Sequence, residues 1–253
     1  MTAKAKAQPL PSGWHLAKAS LGMWKRHLKT FTLLTALVAL PANLIQLLLA
    51  SSDGTISTYI SLVSVLMNLA LVWAALQLEG GAKTVRLRQA YYEGTASFVR
   101  FLLASAVIVV ELIPITVGLF LYNVGVAGAA PGTTSFERVV VGLLAFALTL
   151  PSVFWVNRSV LALVGVPSGD LRPVAAVRDS WRRVKGHSWQ VLAKLLFLML
   201  AAAALVAIPA IILVFLYERT TNRGFLALLQ VFASLVILPF IDIYLVKLNR
   251  ELT

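Results

Sequence analysis

The chain has no cysteine, three histidines, and ten acidic residues against twenty-two basic ones. Each shortage removes a class of chemistry. Without cysteine there is neither a disulfide framework nor a thiolate to act as nucleophile or ligand. His15, His27 and His187 form no His-x3-His pair and sit beside no acidic cluster, so no metal site is spelled out. No histidine falls inside an apolar run where it could serve a buried serine, and a glycine-rich phosphate loop is missing too. These absences predict a protein that is not an enzyme and holds no cofactor. Charge is scarce as well: 13% of residues are charged, against about a quarter in soluble domains. With 59% hydrophobic side chains and a mean hydropathy of +0.86, the composition is that of a polytopic membrane protein.

What is present is a series of long apolar runs. Phe31–Ala50, Ile56–Leu78, Phe101–Asn123, Val139 to about Val164, Val191–Tyr217 and Phe225–Lys247 each approach or exceed the roughly 20 residues that an α-helix needs to cross about 30 Å of hydrocarbon. The expected fold is all-α, with six transmembrane helices.

Three basic amphipathic stretches, near 14–29, 84–100 and 174–190, precede alternate spans and read as interfacial helices. In the last, Val177, Trp181, Val184, Ser188 and Val191 share one face at helical spacing, while Arg178, Arg182, Arg183 and Lys185 take the other. Such a helix is expected to lie on the membrane, with Trp181 and Val184 toward lipid and the four basic residues on anionic headgroups. The net charge of +12 belongs to segments bordering apolar runs and not to a separate soluble face. The implied partner is therefore anionic membrane lipid rather than nucleic acid.

Lysines and arginines also orient the chain. Nineteen fall in the N-terminal region, residues 79–100, residues 158–194 and the C-terminal end, and three (Arg138, Arg219 and Arg223) in the alternate loops. The positive-inside rule then places both termini in the cytoplasm.

A repeat underlies this pattern. Ser20, Trp24, Lys25 and His27 match Ser180, Val184, Lys185 and His187 at equal spacing, and the middle stretch aligns Ala90 and Gly94 with Ala176 and Ser180. A single membrane domain, 1–253, would then hold three units of surface helix plus hairpin, at 14–78, 84–165 and 171–247. The segments GAKTVRLRQAYYEGTASFVRFLL, LPSVFWVNRSVLALV and AVRDSWRRVKGHSWQVL, with Ala-x3-Ser-Trp-x3-Lys-Gly at Ala176–Gly186 and Asn157-Arg158-Ser159 before it, resemble the membrane domain of the glycerophosphodiester phosphodiesterase type and its stand-alone six-helix bacterial relatives. The resemblance covers about residues 14–250 and implies a module of the prokaryotic plasma membrane. The catalytic barrel of those enzymes has no counterpart here, so it does not imply phosphodiesterase activity.

Ionisable residues inside spans are costly, by at least about 2.5–3.5 kcal/mol near the bilayer centre, which singles out Glu111, Arg158 and Asp242. Glu111 lies about 15 Å into its span at 1.5 Å per residue. It reads either as a proton or cation site or as a neutral acid bonded to a neighbouring helix. Arg158 and Asp242, nearer the cytoplasmic ends, are expected to pair while Glu111 stands apart. Prolines 41, 114, 151, 209 and 239 interrupt five spans. Two functions follow: a non-enzymatic module acting through lipid or other membrane protein subunits, as an accessory subunit or an envelope-integrity protein, and a small-solute or lipid transporter using Glu111 and the proline breaks.

Overall fold

The computed structural model describes residues 10–49, 54–128, 134–168, 172–217 and 224–252. Among them every regular element is helical. Three times the chain builds a short helix, breaks, and continues into an apolar one. The first is α1 (Gly13–Arg26), where the Ser12 hydroxyl accepts from the His15 N–H at 3.2 Å and so caps an orphan donor. It breaks at His27 and resumes as α2 (Leu28–Leu49), which continues into α3 (Gly54–Glu79) beyond residues 50–53. The second is α4 (Leu87–Ala96), which breaks at Ser97 before α5 (Phe98–Glu111).

After Leu112 come α6 (Ile113–Tyr122) and a π-helical turn, Asn123–Ala127. Next stands α7 (Ser135–Ser159), opened by a capping box between Thr134 and Glu137. The one-turn α8 (Ala162–Gly165) leads to the third pair, α9 (Pro173–Val184) and α10 (Ser188–Tyr217). Gly186, at φ +95°, makes that break, in a region where side chains are strained. The chain ends in α11 (Gly224–Glu251).

Among the described residues, four helical segments are long and apolar enough to cross a membrane: Leu28–Ile45, Thr58–Glu79, Ser135–Gly165 and Ser188–Ile211. A fifth is added if the bent pair α4 and α5 is one broken span. The chain is thus an all-α, membrane-embedded protein. The expected continuous span Phe101–Asn123 is corrected: it is α5 and α6, interrupted at Leu112. Pro114, in the first turn of α6, cannot donate to the carbonyl four residues back. The expected turn at 51–55 and loops at 124–138 and 218–224 fall partly, and Arg219 and Arg223 wholly, outside the described residues.

By its packing the chain divides into two compact units. One comprises Met1–Val99, Pro167–Gly169 and Leu192–Thr253, the other Arg100–Val166 and Asp170–Val191. In the first, α1 packs on α11 and α2, and α3 on α2, α4 and α11, burying Phe31, Leu34, Leu69, Phe240, Ile243, Tyr244 and Leu248. Helices α3 and α4 approach so closely that a Cβ on Gly94 would lie 2.8 Å from the Ala70 Cα. In the second unit α6 runs along α7, and a Cβ on Gly118 would lie 2.6 Å from the Ala145 carbonyl oxygen. Helix α9 rests on α7 and α8, closing a core of Ala104, Ala162, Val166, Ala176 and Val177 flanked by Trp181.

Candidate functional site

The second unit gathers the buried polar groups around Glu111, the last residue of α5. Because Pro114 stops the helix, the Glu111 carbonyl and the Ile115 N–H are not joined as a regular ladder would join them. Ser152, from α7, fills the gap: its hydroxyl accepts from the Ile115 N–H at 3.1 Å and donates to the Glu111 carbonyl at 2.7 Å. Both backbone groups are satisfied through one side chain, which holds α7 to the break between α5 and α6. Ser152 is 1% exposed, where leaving a polar group unpaired costs about 1–3 kcal/mol.

Two turns further along α7, the Ser159 hydroxyl donates to Glu111 Oε1 at 2.7 Å and accepts from the Trp181 indole Nε1–H at 2.7 Å. The indole N–H can only donate, which leaves the Ser159 hydroxyl proton available for Oε1. Glu111 is 9% exposed and Oε2 has no hydrogen-bond partner among the described residues. A tryptophan of α9, a serine of α7 and the acid that ends α5 thus form one line.

Arg158 belongs to the same cluster. Its guanidinium lies 3.9 Å from the centroid of the Phe154 ring and 5.7 Å from that of Trp181, a cation–π arrangement. Its backbone carbonyl accepts from the Ser180 hydroxyl, and Asn157 Nδ2 donates to the Ser188 carbonyl at 2.8 Å. The expectation that Glu111 stands apart is therefore corrected, because it shares Trp181 with Arg158.

Asp242 lies in the other unit and has neighbours of its own. Its Oδ1 accepts from Asn68 Nδ2 at 3.3 Å, in a setting where Asp242 is 3% exposed. Two residues along α11 from Asp242, the buried Tyr244 hydroxyl donates to the Lys194 carbonyl at 3.1 Å. Asn68, an amide midway along the run Ile56–Leu78, was a signal in the sequence for this contact. Ser152 was another, hidden because serine in a helix usually bonds within its own helix.

The four predicted headgroup residues all border α9. Arg178, Arg182 and Lys185 are exposed, and Arg183 is half-buried beside Asp179, with which it pairs. Arg178, Arg182 and Arg183, with Arg172 and Asp179, line a cavity of about 660 Å³ on this helix. The opposite face does not touch lipid as expected: Val184 is 0% and Val177 8% exposed, and Trp181 is engaged with Ser159. An apolar stripe gains the same free energy against protein as against acyl chains, and here it packs on protein. Among the described residues no group of three side chains is placed to hold a metal.

Comparison with family models, with characterised proteins and with solved structures finds no match.

Proposed function

We propose that this chain is a non-enzymatic integral membrane module that binds anionic lipid headgroups through α9, acting as an accessory subunit or in maintaining the envelope. The observation that carries this reading is the division of α9 into two faces. Val177, Ser180 and Val184 lock the helix to the protein, and Arg172, Arg178 and Arg182 are left exposed around one cavity. Arginine forks match phosphate oxygens, and each basic residue at an acidic leaflet contributes about 1 kcal/mol. Such a helix grips lipid without inserting.

In this proposal six spans lie in a prokaryotic plasma membrane with both termini cytoplasmic, with α5 and α6 as one broken span and α11 as the last, and the three surface helices form a repeat. In support, Leu16, Ala90 and Ala176 are buried at equivalent positions, as are Ser20, Gly94 and Ser180, and each helix is followed by a break and an apolar helix. The resemblance to the membrane domain of the glycerophosphodiester phosphodiesterase type fits this plan. Purifying the protein from its native membrane and identifying what accompanies it tests the reading. Anionic lipid or a membrane protein partner is expected, and neither being enriched contradicts it.

Transport is the second reading, favoured by the unpartnered Oε2 of Glu111 beside an interrupted helix. Broken helices and buried acids are the materials of ion pathways. Proton-coupled flux in proteoliposomes that Glu111→Gln abolishes would establish it over the first.

A further inference from the structure

A second cavity, of about 460 Å³, lies in the first unit, where α1 faces the end of α3 and the end of α11. Its volume falls in the range of small-molecule sites, about 300–1,000 Å³. Lys18, Arg26 and His15 of α1 line it, with His27 at the break after α1, Lys247 of α11 and the carboxylate of Glu79. That carboxylate is already committed, with Oε2 2.6 Å from Lys247 Nζ and Oε1 3.3 Å from Arg250. Lys18 and Arg26 are exposed and have no carboxylate partner among the described residues. The cavity therefore holds uncompensated positive charge, a point-charge ammonium and a planar fork, with two imidazoles beside them. Met23 and Leu78 supply an apolar side.

We propose that this cavity is a phosphate-binding site, suited to the headgroup of an anionic phospholipid. Multiple cationic donors around an apolar margin match a group that is anionic at one end and acyl-linked at the other. The site shares no residue with the α9 face, so the two stand or fall separately. A phosphate could also reach it on a soluble phosphomonoester, and two arms of one experiment separate these sources.

Full-length protein in phosphatidylcholine nanodiscs containing phosphatidylglycerol is examined by native mass spectrometry, alone and with sn-glycerol 3-phosphate. Lys18→Gln/Arg26→Gln removes the free charges. Gly22→Leu instead adds bulk in the cavity at a position where a Cβ meets nothing within 4 Å, so helix α1 tolerates it. Phosphate-ligand binding is expected to weaken roughly fivefold per charge removed, and comparably in Gly22→Leu, while the α9 face keeps its own lipid. Phosphatidylglycerol retained without competition identifies a lipid source, and binding of glycerol 3-phosphate in its place a soluble one. Absence of both ligands from the unaltered protein, or binding unchanged in either variant, overturns the proposal.

Discussion

The Ser159 hydroxyl donates to Glu111 Oε1 at 2.7 Å and, through the same oxygen, accepts the Trp181 indole N–H. This joins the end of α5 to α9, the helix that carries the basic face. Removing the hydroxyl strands a part-buried donor and a buried acceptor at once. Ser159→Ala should cost about 1–3 kcal/mol in thermal or denaturant unfolding. Glu111→Gln, which can keep an oxygen facing Ser159, should cost less. Equal and negligible effects would mean that the line from Trp181 to Glu111 contributes nothing to stability.

The cation–π stack of Arg158 on Phe154 and Trp181 predicts a coupling that charge alone would not give. In a double-mutant cycle, Arg158→Gln and Trp181→Leu should show an interaction energy of about 0.5–2 kcal/mol. Strict additivity would remove the stack from the account.

Close helix contact at Gly118 makes a different prediction. A Cβ there would meet the Ala145 carbonyl oxygen at 2.6 Å, a backbone atom that cannot rotate away. Gly118→Val should therefore loosen α6 from α7 and lower stability by about 1–3 kcal/mol. Gly22→Ala on α1, with nothing within 4 Å, should instead gain about 0.5–1 kcal/mol. Melting temperatures of the two variants moving in the same direction would contradict this.

The helical class and the position of most helices were legible because apolar runs of 20 residues and flanking Lys and Arg are strong signals. Thus Ile56–Leu78 is found within α3, and the expected surface helix from Trp14 begins at Gly13. Prolines were less informative. Pro114 begins a new helix, whereas Pro41, Pro151, Pro209 and Pro239 lie within continuous ones, and what distinguishes Pro114 is the Ser152 hydroxyl bonded to both sides of the break. That partner is distant in sequence. For the same reason the stripe on α9 could not reveal whether it met lipid or protein, and the grouping of Glu111 with Trp181 depended on a docking that no local pattern encodes.

Topology is directly testable because the chain has no cysteine. A single Cys introduced as Lys83→Cys should be shielded from a membrane-impermeant maleimide added outside intact cells, while Phe136→Cys, at an exposed position at the start of α7, should react. The reverse pattern would invert the orientation proposed from the basic residues.

The central claim is that α9, fixed by its apolar face, binds anionic lipid with its basic one. Its most direct test is native mass spectrometry of the protein released from mixed-lipid nanodiscs, comparing the unaltered chain with one carrying Arg178→Gln, Arg182→Gln, Arg183→Gln and Lys185→Gln. The account predicts that anionic lipid retained by the unaltered protein is largely lost from the variant, since about 1 kcal/mol per residue compounds over the set, while its melting temperature changes little. Retention of the same lipids in the same number by a folded variant would contradict it.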